Sequence, residues 1–157
     1  MSDGKLNIVG VPRRRVDGRA KVTGQTTFAD DVVMSRAVHC KLLRSKVPHA
    51  NLKRVDVSKA EAHPGVLLVL TGQHFPVQFG ILPVSQDEDP LCRDRVRFVG
   101  DPIAAVIARD EATAFEALDL IEVDYEILPT RATPEEAYRN PEPRIHEYGE
   151  EGNVHKR

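Results

Sequence analysis

Two short, uninterrupted runs of apolar residues constrain the fold of this 157-residue chain more than any other feature. They occupy residues 66–70 (VLLVL) and residues 103–108 (IAAVIA), and turn-forming residues precede both. A run of this length that is apolar throughout is typical of a strand covered on both faces. We therefore expect two core strands, in a chain whose length suits one ordinary domain with one hydrophobic core.

Up to four further strands are predicted from the alternation of apolar and polar residues, which gives four to six strands in all. They lie near residues 38–43, 52–57, 95–99 and 123–127. In the first of these strands we expect His39 to point outward, so that Cys40 and Leu42 lie on the more buried face.

Three short helices are predicted from capping residues and from helical spacing. The first begins at Ser58, because Ser58 and Glu61 have the spacing of a capping box. Asp110 caps the second helix, and the third has Thr133 as its cap and Pro134 at its first position. The second helix is expected to turn one apolar face toward the sheet, formed by Ala112, Ala114, Phe115, Leu118 and Ile121.

These elements predict an α+β fold with a small mixed sheet and short helices on one face. Three parts are expected along the chain: an extended arm with short strands at residues 1–36, a core at residues 37–139, and a tail at residues 140–157. The tail is rich in proline and charge and has too little apolar content to pack as a domain. The long irregular stretch near residues 73–93 is of a kind that is usually functional or mobile.

The composition excludes several classes of partner. The net charge is −2, aromatic residues make up 5% of the chain and tryptophan is absent, so neither a polybasic nor a base-stacking nucleic-acid surface is expected. Cys40 and Cys92 form no disulfide framework and no CxxC half-site, which favours a reduced, cytoplasmic setting. Because no apolar run approaches the roughly 18 residues of a membrane span, we expect neither membrane insertion nor export.

Motifs that carry catalytic chemistry are missing from the sequence. The six histidines are scattered without metal-site spacing, and such residues are expected at the surface or at caps. Neither GxxxxGK[ST] nor GxGxxG occurs after a strand. Ser45 and His49 lack a GxSxG elbow, and the surroundings of Cys92 favour ordinary packing. The residues therefore predict no catalytic, cofactor-binding or metal-ligating side chain.

Several ordered segments resemble the large subunit of the molybdenum hydroxylases, the xanthine dehydrogenase/aldehyde oxidase family. They are DGRAKVTG at residues 17–24, RSKVPHA at residues 44–50, VRFVGDPIAAV at residues 96–106 and LIEVDYE at residues 120–126. The segments occur in family order and cover nearly the whole chain. The resemblance implies the α/β-hammerhead domain of that subunit, and it implies that the tail leads to a molybdopterin-binding domain.

The resemblance also implies cofactors and partners for a complete enzyme. These are molybdopterin cytosine dinucleotide, iron–sulfur clusters and FAD, held by the remaining molybdopterin-binding domains, an iron–sulfur small subunit and an FAD subunit. The family's pterin-contacting loops and catalytic glutamate have no counterpart in this chain, so no catalytic residue is carried over and the isolated chain is expected to be inactive.

Within the family, residues 79–83 (FGILP) and 89–91 (DPL) resemble the large subunit of 4-hydroxybenzoyl-CoA reductase. That resemblance implies reductive removal of a phenolic hydroxyl from an aromatic acyl-CoA. An oxidative dehydrogenase of xanthine, aldehydes or N-heterocycles is one alternative, and a non-catalytic assembly module is another. In members of this family, part of the hammerhead domain lies near the passage through which substrate reaches the metal. By this resemblance, Phe79, Ile81 and Leu82 are the candidate residues that line the wall of that passage. The competing interpretation is that these three side chains simply cover the sheet.

Overall fold

The computed structural model describes residues 8–81, 86–147 and 151–155. It divides into two units, Met1–Ala37 and Val38–Arg157. Residues 8–37 of the first unit contain α1 (Gly18–Val22) and a 3-10 turn (Ala29–Asp31), and none of their side chains is buried. The short strands expected in the arm are therefore wrong for these residues. A helical turn forms instead because Asp17 accepts a backbone hydrogen bond from Lys21 and its carboxylate pairs with that lysine.

The second unit contains six strands and three helices within its described residues. In chain order they are β1 (His39–Arg44), β2 (Ala50–Asp56), α2 (Ser58–Glu61), β3 (Val66–Thr71), β4 (Arg95–Val96), β5 (Pro102–Ala108), α3 (Glu111–Leu118), β6 (Glu122–Ile127) and α4 (Pro134–Arg139). Three-stranded sheet A has the order β1-β5-β3, and three-stranded sheet B has the order β4-β2-β6. The α+β class is confirmed. The single mixed sheet is wrong, because every pairing between the named strands is antiparallel and the strands separate into two sheets.

The hydrophobic core has two parts that share partly buried side chains. In the first part, Ala104, Val106 and Ala108 of β5 lie against Ala114 and Ala117 of α3. The second part is formed by Ala50, Cys92, Val96 and Ile103. Leu43, Val55 and Val123 pack against both parts.

The expected apolar face of α3 is partly wrong. Ala114, Leu118 and Ile121 do pack in the core, but Phe115 is 51% exposed and Ala112 is exposed as well. Alanines at positions 114 and 117 let the helix approach the sheet closely, which leaves no space there for a phenyl ring. Phe115 lies instead at the edge, where the Lys41 ammonium is 4.7 Å from its ring centroid.

The buried faces of two outer strands differ from the expectation. His39 is exposed as predicted, but Lys41 and Leu43 are half-buried while Cys40 and Leu42 are exposed. The run at residues 66–70 was expected to be covered on both faces; Val69 is buried, whereas Leu68 is 50% exposed. Both differences have one cause, since α3 covers only one face of sheet A.

Local capping decides how the helices begin. Asp110 accepts a 2.8 Å hydrogen bond from the Thr113 amide, and Thr133 accepts one from Glu136, as predicted. The Ser58 capping box is wrong. Ser58 is the first helical residue, and Asp56 Oδ1 accepts hydrogen bonds from both its amide and its hydroxyl.

The strand expected at residues 95–99 is shortened to β4 (Arg95–Val96), because the chain turns at once toward β5. Asp101 Oδ2 accepts a hydrogen bond from the Arg97 amide, and Ser45 O accepts one from Gly100, whose φ of 98° requires glycine. Within the described part of the chain, no helix combines the length and apolar character that crossing a bilayer requires.

Candidate functional site

The β3–β4 loop (residues 72–94) carries the candidate wall of the substrate passage. Two backbone hydrogen bonds join Phe79 and Glu88, with the amide of each residue 2.9 Å from the carbonyl oxygen of the other. These bonds hold the ends of the loop's tip together like the last pair of a hairpin. The pairing of Phe79 with Glu88 therefore fixes the positions of the two residues from which the tip of the loop begins and ends.

The structure describes two of the three predicted wall residues. Phe79 is 49% exposed and Ile81 is 89% exposed, while Leu82 lies outside the described residues. Neither described side chain covers the sheet as a buried residue would. Their role as the wall of a passage stays a prediction.

The base of the loop is packed tightly against the core. A Cβ atom at Gly72 would lie 2.4 Å from the Cys92 carbonyl oxygen and 2.7 Å from that of Leu91, so only glycine fits where the two ends of the loop meet. Cys92 donates its amide to Pro102 O at 2.7 Å. Burial raises the pKa of the Cys92 thiol far above its ordinary value, and nearby Asp101 adds to the effect. This cysteine is a packing residue, as the sequence indicated.

Arginines of and beside β4 hold the tail, a role that the sequence analysis missed. Arg95 Nη1 donates to Arg144 O at 3.1 Å, and Arg97 Nε donates to Ile145 O at 3.0 Å. Farther along, Arg131 Nη2 donates to Glu142 O at 2.7 Å. A spacing of two places Arg95 and Arg97 on the same side of the strand predicted at residues 95–99, which was the signal available in the sequence.

A second contact joins the tail to the β3–β4 loop. His146 Nδ1 lies 2.8 Å from Asp87 Oδ2, close to the pairing of Phe79 with Glu88. Loop, tail and α4 together line a partly open cavity of about 450 Å³. Its lining comprises Asp87, Glu88, Ala137, Ile145, His146, Gly152, Asn153 and His155. Through the contact of His146 with Asp87, the tail therefore helps to fix the position of the β3–β4 loop.

Ser45 and His49, both buried, are engaged with different partners. Ser45 Oγ donates to Val47 O at 2.7 Å, while His49 Nδ1 lies 3.0 Å from Pro129 O. His49 is not the surface or capping residue expected of an isolated histidine, because it ties β2 to the segment that follows β6. The geometry therefore gives these two residues a structural role.

No group of three His, Cys, Asp or Glu side chains within residues 8–81, 86–147 and 151–155 is arranged to hold a metal ion. Those residues also offer no glycine-rich loop of the kind that cradles a dinucleotide phosphate. The molybdopterin dinucleotide that the family resemblance implies is therefore not assigned to any of the described residues.

Comparison with known proteins identifies the family. Residues 23–129 match the family described as aldehyde oxidase and xanthine dehydrogenase, a/b hammerhead domain. The chain belongs to this hammerhead family. The family resemblance of the sequence motifs and the hammerhead fold are both confirmed.

Relatives of this hammerhead chain are parts of much longer polypeptides. It is 44% identical to a probable xanthine dehydrogenase subunit of Bacillus subtilis (strain 168), a match that covers 90% of this chain and 19% of the relative. It is 34% identical to the carbon monoxide dehydrogenase large chain of Afipia carboxidovorans, covering 91% of this chain and 18% of that one. The hammerhead chain thus spans less than a fifth of these relatives.

A solved structure shows the same relationship. Quinoline 2-oxidoreductase from Pseudomonas putida 86 superposes with a TM-score of 0.74 at 34% identity, covering 83% of this chain and 18% of that chain. These relatives support the family without selecting 4-hydroxybenzoyl-CoA reductase within it.

Proposed function

We propose that this chain is the hammerhead portion of the molybdopterin-binding large subunit of a multi-subunit molybdenum oxidoreductase. In this role it docks on the remaining molybdopterin-binding domains and on an iron–sulfur small subunit, and an FAD subunit completes the enzyme. The observation that carries the proposal is the match of 90% of this chain to only 19% of a xanthine dehydrogenase subunit. Molybdopterin cytosine dinucleotide, held by other domains, would supply the redox chemistry. The residues of this chain would form contacts with those domains and line part of the substrate passage.

The unit that ends at Ala37 supports a docking role. The side chains of Val16, Val22 and Val33 are 103%, 85% and 93% exposed, and no residue among positions 8–37 is buried. Burial of apolar surface is favourable by about 25 cal/mol per Å², so a partner's apolar surface would stabilise these side chains. The unit is suited to packing on another domain.

The tip of the β3–β4 loop supports a place beside the substrate passage. Phe79 and Ile81 present exposed apolar surface, and the backbone pairing of Phe79 with Glu88 holds the loop at this point. In the complete enzyme, Phe79→Ala and Ile81→Ala are each expected to raise KM about tenfold, because each removes apolar contact with substrate. Val77→Ala, which truncates another exposed apolar residue of the same loop, is the control and should leave KM unchanged. Equal effects of all three substitutions would contradict the wall.

For the reaction, we propose oxidation of an aldehyde, xanthine or another N-heterocycle. The names of the relatives support this direction, since they include a xanthine dehydrogenase subunit and a nicotinate dehydrogenase subunit. Reductive dehydroxylation of 4-hydroxybenzoyl-CoA is the second candidate, supported by residues 79–83 and 89–91. Dye reduction by a panel of aldehydes and N-heterocycles, compared with dye oxidation by 4-hydroxybenzoyl-CoA, separates the two.

The docking proposal is tested by co-expression of the tagged chain with three polypeptides. The first polypeptide corresponds to the remaining four fifths of the relatives' large subunit, the second is the iron–sulfur subunit and the third is the FAD subunit. Purified complex should contain molybdenum and iron by elemental analysis, and the chain purified alone should contain neither. Val33→Asp should weaken co-purification, whereas Gln25→Asp, at an exposed polar position of the same unit, should not. Stoichiometric molybdenum in the chain alone would overturn the proposal, and a stable complex without molybdenum would favour an assembly module.

A further inference from the structure

The outer face of sheet B shows what a solvated sheet face in this domain looks like. Arg54 pairs with Asp124 at 3.2 Å and with Glu122 at 3.4 Å, and Lys53 pairs with Glu126 at 2.8 Å. Antiparallel sheets with one face in water normally carry polar and charged residues on that face. Sheet B follows this rule.

The outer face of sheet A does not follow it. Strand pairing places Cys40 and Leu68 on either side of Ile107, and Leu42 and Leu70 on either side of Ala105. Residues paired directly across antiparallel strands share a face, so these side chains form one continuous surface. None of these positions carries a charged side chain. The surface points away from α3, which covers the opposite face through Ala104, Val106 and Ala108.

Part of this surface is open in the present chain. Leu42 is 37% exposed, Leu68 is 50% exposed, and Cys40 is exposed as well. Contiguous exposed apolar surface on a soluble domain marks an interaction site more often than scattered apolar residues do. The outer face of sheet B carries charged side chains instead, so the exposed apolar surface is a feature of sheet A and not of sheet B.

We propose that the outer face of sheet A is the surface on which the remaining part of the large-subunit polypeptide packs. This inference rests on the proposed function and names the contact surface for it. The occupant follows from two observations. About four fifths of the xanthine dehydrogenase relative lies outside the match, so a large surface of the same polypeptide is available. The face also lacks charged side chains. Permanent protein interfaces are depleted of charged residues in the same way, and they resemble a domain core cut in half.

The wild-type chain provides its own probe, because its two cysteines differ in position. Cys40 is exposed on the proposed surface, while Cys92 is buried and its thiol pKa is raised by that burial. N-ethylmaleimide labelling, followed by peptide mass spectrometry, is compared between the isolated chain and the purified complex. Cys40 should react readily in the isolated chain and about tenfold more slowly in the complex. Cys92 should stay unlabelled in both, which reports that the domain is folded.

A pair of variants tests the same surface by affinity. Leu68→Glu should weaken association with the rest of the large subunit at least about tenfold, since it buries a charge in an apolar contact. Ile127→Glu, on β6 of the charged sheet and 62% exposed, is the matched control and should not. If Leu68→Glu fails to fold, the labelling of wild-type Cys40 still decides the question.

The outcomes separate this inference from the proposed function. A complex that forms while Cys40 reacts at its isolated rate overturns the surface and leaves the function standing. Failure to form any complex overturns both. If Cys40 is already unreactive in the isolated chain and the chain sediments as a dimer, a second copy occupies the face and the inference is wrong. If it is unreactive in a monomer, the chain covers the face itself, which also overturns it.

Discussion

Arg97 donates a hydrogen bond from Nε to the backbone carbonyl of Ile145 at a distance of 3.0 Å. Next to it, Arg95 Nη1 donates to Arg144 O, so arginines in and just after β4 hold two consecutive carbonyl groups of the tail. Asn153 Oδ1 accepts the Ile145 amide from the other direction at 2.7 Å. A segment poor in apolar residues is thereby ordered through charge-assisted and backbone hydrogen bonds rather than through a core of its own.

Removing the arginine side chain should release the tail without unfolding the domain. A hydrogen bond to a charged group contributes about 1.5–3 kcal/mol, so Arg97→Ala should speed amide exchange in residues 140–147 by about tenfold or more. Hydrogen exchange with mass spectrometry measures this directly. Arg139→Ala, in the exposed last turn of α4, is the control. Unchanged exchange at residues 140–147 in Arg97→Ala would show that the tail is held by other contacts.

Replacing Gly72 should disturb the base of the β3–β4 loop. A methyl group there would meet backbone carbonyl oxygens of Leu91 and Cys92 at 2.7 Å and 2.4 Å, which cannot move independently of the core. Overpacking of this kind costs about 1–3 kcal/mol, so Gly72→Ala should lower the free energy of unfolding in urea by that amount. It should also make Cys92 accessible to thiol reagents. Gly18→Ala, whose Cβ would meet only Arg15 Cβ at 3.4 Å, should do neither.

Truncation of Ile103 measures the second part of the core. Its side chain is fully buried among Ala50, Cys92 and Val96. Ile103→Ala should reduce the free energy of unfolding by about 2–5 kcal/mol, because it removes apolar contacts and leaves a cavity. Ile127→Ala makes the same chemical change at a position that is 62% exposed and should change it by less than about 0.5 kcal/mol. Chemical denaturation followed by circular dichroism compares the two variants.

Asp110 should make a pH-dependent contribution to stability. Hydrogen bonds from the backbone amide and then the hydroxyl of Thr113 lower the pKa of this carboxyl below its ordinary value of 3.8. Because the folded-state pKa is the lower one, the contribution is present above pH 3.8 and is lost as the pH falls through the folded-state pKa. Urea midpoints of wild type and Asp110→Asn should therefore differ at neutral pH and converge as the pH falls below the folded-state pKa of Asp110.

The control for this convergence is Asp119→Asn, which removes a carboxylate at the opposite end of the same helix. A difference between wild type and Asp110→Asn that persists unchanged at the lowest pH would show that the charge of Asp110 contributes nothing.

The predictions from sequence that were confirmed depend on residues close together in the chain. Asp110 and Thr133 cap their helices through amides three residues ahead, so composition and spacing suffice to find them. The burial of β5 follows from a run that is apolar throughout. The family was found for a similar reason, since its motifs are short and ordered along the chain.

The predictions that were wrong depend on which element covers which face. The sequence placed Phe115 toward the sheet, but alanines 114 and 117 occupy the contact and the ring is at the edge. It placed Ser58 at a cap, but Asp56 accepts the hydrogen bonds at the start of that helix. Helical spacing allows neighbouring stripes to face the core, and a cap can come from either of two nearby polar residues. Only the packed structure selects between them.

The outer face of sheet A shows most clearly which features follow from the sequence and which follow only from the packed structure. The sequence by itself determined that residues 66–70 and 103–108 are apolar strands and that the chain is a hammerhead domain, because these follow from local pattern and ordered motifs. Only the tertiary structure decided that Leu42 and Leu68 lie on either side of β5 on a partly exposed face, and that Arg97 reaches the tail at Ile145. Pairing joins residues far apart in the chain, and the free energy of such contacts depends on what each face packs against, which no local pattern records.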